Sequence, residues 1–237
     1  MKVGIMQPYF FPYLGYFSLI KHTDAFVLLD TVQFIRHGWI ERNRILKQTE
    51  GWQYIKIPLL KPDGRDTLIK DVVIDNRENW KSKILAQLTH YKKKAPFYKQ
   101  TIGLLESVFE DEYESIVEFN FKSQKRVCQY LNLPADIQVF SEMNLPIEEV
   151  NAPDEWALNI CKAMTGVDEY WNPTGGLTFF DKEKYGNANI RLHFHAVNLK
   201  PYSQRNAIFE SGLSIIDVLM FNDVPTVHQI LDDYQLI

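Results

Sequence analysis

The chain has 237 residues and a net charge of −4, which disfavours a general nucleic-acid binder because such proteins use excess Lys and Arg to neutralise phosphates. Hydrophobic residues make up 46% and aromatic residues 14%, which excludes intrinsic disorder and provides material for a core. Cys128 and Cys161 lie far apart and in no Cys-x-x-Cys pair, so we expect no zinc site and no disulfide framework, and a reducing cytoplasm fits best.

The first thirty residues predict a strand, a helix and a second strand. Residues 2–6 form a short apolar strand, the proline-containing segment QPYFFP is a loop, and residues 13–22 have helical spacing. Residues 25–30 are a second apolar run. Residues 3–20 are uncharged, but prolines and amides within them are poorly placed in a lipid-facing helix, so we expect no membrane span.

The rest of the chain predicts a hairpin and then mostly helices. Residues 52–59 and 67–74 alternate as strands, with Pro62-Asp63-Gly64 as the turn between them. Helices are predicted over residues 80–91, 97–109, 116–131 and 154–164, and a strand over residues 190–194. Ser214 and Asp217 resemble a capping box that opens a final helix.

This order of elements predicts an α/β fold with a parallel-sheet, Rossmann-like N-terminal half and a mostly helical C-terminal half. We assign residues 1–77 to the α/β part that carries the site. Residues 78–237 form the mostly helical part packed on it, as one integrated unit, because no Gly/Ser-rich linker and no internal repeat divides them.

The loops after the first two strands are the expected ligand site, because open α/β sheets bind ligands beyond the carboxyl ends of their parallel strands. Aromatic faces stack on sugars and bases, amides bind hydroxyls, and arginines hold phosphate. The candidate ligand-binding residues of these loops are Gln7, Tyr9, Tyr13, Gln33, Trp39, Arg42, Asn43 and Arg44. In the alternative interpretation, the aromatic side chains fill a core and the charged ones lie on a solvated surface.

Two later segments are candidates for the same site. Gly175 and Gly176 offer free backbone N–H groups to an anion, although a purely structural turn is the alternative. Gln204 precedes the last helical region and would close the pocket.

Asp30 and His37 are the candidate catalytic residues. Asp30 ends an apolar strand, where its carboxylate would accept a proton or hold a sugar hydroxyl; alternatively, it caps the turn that follows. His37 is the candidate base among the histidines because it lies in the polar loop near Asp30. His193 and His195 share one face of a strand, but no third ligand is evident, so we predict no metal site.

Three segments, IMQPYFFPYLGYFSLI, DAFVLLDTVQF and W-x-x-RNRI, strongly resemble the WbqC-like family, and W-x-Y-I-x-I-P, YKKKAPFY and LSIIDVL extend the likeness to residue 219. Members of that family occur in bacterial gene clusters for O-antigen and other surface polysaccharides. The resemblance therefore implies an enzyme of O-antigen or lipopolysaccharide biosynthesis. It implies acyl or aminoacyl transfer to a nucleotide-linked amino sugar from an acyl or aminoacyl donor, and it does not firmly imply a cofactor.

The N-terminal block is also similar to the start of pantothenate-synthetase-type nucleotidyltransferases. In those enzymes an H-x-G-H pair stabilises the triphosphate, whereas Tyr13 and Tyr16 stand at the matching positions here. A neutral phenol does not supply the positive charge of an imidazolium to a phosphoryl transition state. The similarity supports a nucleotide-binding fold and leaves nucleotidyl transfer as an alternative.

Three functions therefore remain open: a transferase, a nucleotidyltransferase-like enzyme, and a non-catalytic sugar-nucleotide-binding protein of the same pathway. A transferase needs a base, Asp30 or His37, and donors for the developing oxyanion, such as Gln7. No serine or cysteine lies in a nucleophile-elbow context, which disfavours a covalent acyl-enzyme. A carboxylate and a base converging on one cavity would favour an enzyme, and an open aromatic groove without them would favour binding alone.

Overall fold

The computed structural model describes residues 1–61, 64, 66–205 and 208–237. The strands of this part of the chain are β1 Lys2–Met6, β2 Ala25–Leu28, β3 Arg42–Leu46, β4 Trp52–Lys56, β5 Ile137–Val139, β6 Glu169–Pro173, β7 Arg191–Val197 and β8 Tyr234–Leu236. Its α-helices are α1 Leu14–His22, α2 Trp80–Leu88, α3 Tyr98–Phe109, α4 Ile116–Tyr130, α5 Glu155–Ala163, α6 Lys182–Asn187, α7 Ile215–Phe221 and α8 Val224–Leu231.

Six strands form one sheet in the order β5-β2-β1-β6-β7-β8, in which every pair is parallel except β7–β8. Numbered by their sequence within this sheet, the strands run 3-2-1-4-5-6, the order found in doubly wound dinucleotide-binding sheets. The predicted α/β, Rossmann-like fold is confirmed. Residues 137–236 contribute four of the six strands, so the second half supplies much of the sheet as well as helices.

Both faces of the sheet are covered. In β2, Phe26 and Leu28 pack into the cluster that contains the buried residues of α1, α4, α7 and α8. Ala25 and Val27 alternate with them and pack into a second cluster with α5 and Tyr185 of α6. This burial on two sides explains why β1 and β2 are nearly continuous apolar runs rather than alternating ones.

Strands β3 and β4 form a separate antiparallel hairpin, which lies between β2 and β5 in the chain. The prediction of a strand over residues 67–74 is wrong. A short 3-10 helix, Ile69–Asp71, lies there instead, flanked by isolated bridges to three different partners. The alternation of apolar residues in this segment arises because they are buried against several different partners, not because the segment pairs with one neighbouring strand. Pro62 and Asp63, the predicted hairpin turn, lie outside the described residues.

The predicted capping box at the start of α7 is only half formed. The Ser214 hydroxyl accepts a hydrogen bond from the Ile216 N–H at 3.3 Å, as an N-cap does. Asp217 does not complete the box, because its fully buried carboxylate accepts from Tyr91, Tyr202 and Gln204 instead. In the part of the chain that is described, no helix is long and apolar enough to cross a membrane.

Candidate functional site

A cleft of about 770 Å³ opens at the carboxyl edge of the sheet, where β1 and β6 lie side by side. The strand order reverses between these two strands, because the chain continues from β1 towards β2 and β5 on one side and from β6 towards β7 on the other. Such a switch point is where open α/β sheets bind ligands. The polar and aromatic side chains and the glycines that line this switch-point cleft include Gln7, Tyr9, Tyr13, Gln33, Trp39, Asn172, Gly175, Gly176 and Phe179.

The structure brings seven of the predicted site residues to this cleft. The loop after β1 supplies Gln7, Tyr9 and Tyr13, and the loop after β2 supplies Gln33 and Trp39. The third contribution is the turn after β6, with Gly175 and Gly176. No described side chain or backbone group hydrogen-bonds to the side-chain amide of Gln7, which is therefore available to a ligand.

The loop after β1 is held rigidly by side chains. The five consecutive backbone carbonyls of residues 7–11 each accept a side-chain hydrogen bond at 2.8–3.0 Å. The donors, in order along the loop, are Tyr16, Asn120, Gln124 and Asn43, of which Asn43 serves the last two carbonyls. The Ser214 hydroxyl is a second donor to the Phe11 carbonyl, at 2.7 Å. This arrangement stabilises the left-handed backbone of Phe11, whose φ is 36°. The loop therefore presents its side chains in a fixed geometry.

Asn120 and Gln124 are residues that the sequence analysis missed. Both are buried on α4, one helical turn apart, among the apolar residues of its inner face. Two amides at i and i+4 on an apolar helix face are the signal that could have identified them, because buried amides need hydrogen-bond partners. Their partners are the carbonyls of the ligand-facing loop, so they are positioning residues.

Tyr9 and Tyr13 present phenol groups at the cleft. Burial raises the pKa of both, and the neighbouring Tyr9 raises the pKa of Tyr13 further. Both groups are therefore neutral hydrogen-bond donors near pH 7, not bases. Gly15 permits this arrangement, because a Cβ there would lie 2.6 Å from the Tyr13 hydroxyl oxygen.

The turn after β6 closes the other side of the cleft. The Tyr170 hydroxyl donates to Oδ1 of Asn172 at 2.9 Å and fixes that amide. Gly176 packs directly against the Asn172 amide and the Phe180 ring, and a Cβ at this position would lie 2.7 Å from the ring. Gly175 is exposed, with no atom within 4 Å of a would-be Cβ. The two glycines thus differ: one is required by close packing and the other borders open space.

A smaller cavity of about 280 Å³ adjoins the cleft, since Tyr9, Tyr13 and Trp39 line both. We call it the arginine pocket; Asn43, Arg44, Leu199 and Gly212 are also in its wall. The Arg44 guanidinium lies 5.5 Å from the centre of the Trp39 ring and 5.2 Å from that of Trp52, and its Nη2 donates to the Gly212 carbonyl at 3.1 Å. Its buried Nε has no acceptor among the described residues. Arg44 is therefore a fixed cation with a remaining donor.

Asp30 does not line any of these cavities. It is 1% exposed, and both carboxylate oxygens are occupied by Ser141, whose backbone N–H donates at 3.0 Å and whose hydroxyl donates to the second oxygen. The contact ties the end of β2 to the end of β5. The carboxylate thus caps Ser141 and not the turn that follows Asp30, and the catalytic role of Asp30 stays a prediction.

His37 and Arg42 line a third cavity of about 620 Å³ beside the β3–β4 hairpin, which we call the hairpin groove. The loop of residues 33–37 separates this groove from the cleft. Its side chains alternate, because Gln33 and Ile35 line the cleft whereas Phe34 and Arg36 line the groove. Asp30 and His37 therefore do not share one cavity.

Gln204 lies apart from the cleft. It is 3% exposed; its amide donates to Asp217 at 3.0 Å and to the Glu210 carbonyl at 2.9 Å, and its carbonyl accepts from the Glu210 N–H. It therefore holds a loop rather than facing a ligand. Burial raises the pKa of Asp217 to about 6, although the Tyr202, Tyr91 and Gln204 hydrogen bonds act in the opposite direction.

The histidine pair on β7 contacts aromatic rings. His193 and His195 lie 6.2 and 6.0 Å from the Trp171 ring, and His195 Nε2 is 3.1 Å from the Ser18 hydroxyl. Burial lowers the pKa of His195 to about 4, with a smaller contribution from His22. Across the residues that the structure covers, no group of three His, Cys, Asp or Glu side chains is arranged to hold a metal ion.

The sequence is similar to known proteins over almost its whole length. The protein named "Uncharacterized protein Rv1507c" of Mycobacterium tuberculosis (strain ATCC 25618 / H37Rv) is 26% identical over 222 residues, which are 93% of each chain. No solved structure matches significantly. A model of the WbqC-like protein family matches residues 7–229, which include every cavity-lining loop described above. The chain therefore belongs to the WbqC-like protein family.

Proposed function

We propose that this protein binds a nucleotide-linked amino sugar in the switch-point cleft and acts in bacterial O-antigen or surface-polysaccharide biosynthesis. The observation that carries the proposal is the cleft itself: amides and aromatic rings converge at the switch point of a 3-2-1-4-5-6 sheet. Gln7 and Gln33 are suited to sugar hydroxyls, and Trp39 to stacking on a ring. Arg44, next to the cleft, is suited to a phosphate.

The lining of the cleft favours binding over acid–base catalysis. The side chains that line it in the described part of the chain include no carboxylate, imidazole, lysine or arginine, and its tyrosines are neutral. An aromatic groove without convergent titratable groups is the pattern expected of a binding protein. Acyl or aminoacyl transfer to the sugar amine stays a prediction from the family resemblance, and its base would have to come from outside this lining. The cytoplasm is the compartment that we propose, because Cys128 and Cys161 are both unpaired and buried.

Calorimetric titration tests the proposal. Nucleotide-linked amino sugars should bind, and the free nucleotide and the free sugar should each bind more weakly. Gln7→Ala should lower the affinity about 2- to 10-fold, the effect of losing one neutral hydrogen bond. Gln129→Ala on the exposed face of α4 is the matched control and should leave the affinity unchanged. Absence of binding by every nucleotide sugar, or equal affinities of the two variants, would contradict the proposal.

Mass spectrometry of the same mixtures with acyl and aminoacyl donors added tests the reaction. A product heavier by one acyl group, formed only with active protein, would show that the protein is a transferase. Binding without turnover would leave the sugar-nucleotide-binding function in place and remove the transfer.

A further inference from the structure

The hairpin groove is a second cavity with its own charged groups. Its floor is apolar and includes Phe34, Ile57 and Leu59. Its wall carries Glu41 and Arg42, consecutive residues that the cleft does not use. It is comparable in volume to the switch-point cleft, at about 620 Å³, which is in the range of small-molecule sites.

Glu41 and Arg42, which line this groove, each have one buried side-chain atom without a partner among the described residues. Glu41 is 7% exposed; its Oε1 accepts the backbone N–H of His37, and its Oε2 has no donor among the described residues. Arg42 donates through Nη2 to the carbonyl of His37, stacks 4.0 Å from the centre of the Tyr54 ring, and has no acceptor for Nε in the described part of the chain. A buried carboxylate oxygen and a buried guanidinium N–H without partners are costly, so both favour a ligand that satisfies them.

The charge around the groove defines what such a ligand carries. The acidic residues at its edge are already neutralised, since Asp75 pairs with Arg77 at 2.6 Å and Glu78 pairs with Lys83. Arg36 and Lys56, by contrast, make no ion pair with any residue that the structure describes. The uncompensated charge is thus positive apart from Glu41. A carboxylate fits the guanidinium groups, and an adjacent N–H or O–H donor fits the Glu41 carboxylate.

We propose that the hairpin groove is a second ligand site, which binds a small α-amino or α-hydroxy carboxylic acid. The ligand carboxylate faces Arg36 and Arg42, and its amino or hydroxyl group donates to Glu41 Oε2. The site is separate from the switch-point cleft, so this proposal does not depend on what the cleft binds.

The competing explanation is that Glu41 and Arg42 serve only to clamp the left-handed backbone of His37, whose φ is 61°. A clamp alone predicts that removing either side chain affects folding and that no acid binds. The two explanations are separable, because Glu41→Gln keeps Oε1 for the His37 N–H and replaces only the free oxygen.

NMR titration of the full chain tests the proposal with the twenty L-amino acids, L-lactate and L-malate as probes, and with ethylamine and propionate as probes that carry one group only. At least one bifunctional acid should bind at least 10-fold more tightly than either one-group probe. The amino and hydroxy members of the panel distinguish the two donors.

Glu41→Gln should then lower that affinity at least 10-fold without shifting the unfolding midpoint, whereas Glu50→Gln, an exposed control outside the groove, should leave it unchanged. Arg36→Ala, at an exposed position, tests the carboxylate contact should Glu41→Gln fold poorly, and should have an effect of the same size. Nucleotide-sugar binding in the cleft should be retained by both variants. No binding by any panel member, or binding that neither substitution weakens, would overturn the proposal and leave only the clamp.

Discussion

The side-chain amide of Asn43 donates to the backbone carbonyl of Phe11 at 2.9 Å and thereby joins the β3–β4 hairpin to the loop that faces the ligand cleft. The same amide nitrogen reaches the Phe10 carbonyl at 3.0 Å. One buried side chain therefore satisfies two carbonyls, one of them in a left-handed residue. Asn43, predicted as a ligand-binding residue, contributes to the site by shaping its loop.

Asn43→Ala should lower the free energy of unfolding by about 1–3 kcal/mol, because it leaves the buried Phe10 carbonyl without its donor, whereas the Phe11 carbonyl keeps the Ser214 hydroxyl. Urea denaturation measures the change. Asn151→Ala is the control and should have almost no effect, because this exposed side chain hydrogen-bonds to none of the described residues. Equal stabilities of the two variants would contradict the positioning role of Asn43.

Asp30→Asn distinguishes the structural role of Asp30 from the catalytic role predicted from the sequence. Since both oxygens accept from Ser141, we expect a loss of about 1.5–3 kcal/mol in unfolding free energy, as for hydrogen bonds to a charged group, with ligand affinity unchanged. Ser141→Ala should destabilise the protein similarly, and the double variant by less than the sum. Unaltered stability with turnover reduced about 100-fold would instead establish Asp30 as the base.

Arg44→Ala should weaken binding of a nucleoside-diphosphate sugar about 10-fold or more, because a charged hydrogen bond contributes about 1.5–3 kcal/mol. Affinity for the corresponding nucleoside, which lacks phosphate, should not change. Isothermal titration of both ligands provides the comparison, with Arg126→Ala on the exposed face of α4 as the control. Loss of both affinities to the same extent would mean that Arg44 acts only through the fold.

Gly176→Ala should reduce ligand affinity about 10-fold or more, since its Cβ would displace the Asn172 amide and the Phe180 ring at the wall of the cleft. Gly103→Ala on α3 meets no atom within 4 Å and is the matched control. It should leave the affinity unchanged and stabilise the protein by about 0.4–1 kcal/mol through reduced chain entropy. An unchanged affinity of Gly176→Ala would show that the ligand lies elsewhere.

Asp217 should make the protein less stable as pH rises from about 4 to 6. Burial raises its pKa to about 6 from an ordinary value of 3.8, so the folded state holds a proton that the unfolded state has released in that interval. The effect amounts to at most about 3 kcal/mol from a shift of about two pKa units. Other carboxyls have lowered pKa values and act in the opposite sense, so the measured quantity is the difference between wild type and Asp217→Asn. That difference should fall as pH rises, and a constant difference would contradict the prediction.

The sequence predicted the parts of the fold that repeat a simple pattern. The strand–helix–strand unit at the N terminus follows from two apolar runs and a proline-started helix, and it places Gln7 and Tyr13 at the cleft. Strand β5 has three residues and β6 ends in Pro173, so neither has enough alternation to be recognised. The separation of His37 from the cleft was also out of reach, because it depends on which way the loop after β2 turns each side chain.

The loop of residues 33–37 forms a wall between the switch-point cleft and the hairpin groove. A ligand in the hairpin groove that shifts the backbone of residues 33–36 also shifts Gln33 and Ile35, whose side chains line the cleft. Two ligands that share such a wall are thermodynamically linked. If the first ligand changes the affinity for the second by some factor, the second changes the affinity for the first by the same factor. Measuring the affinity for a nucleotide sugar with and without a saturating α-amino acid, and then the reverse, would give two ratios that must be equal.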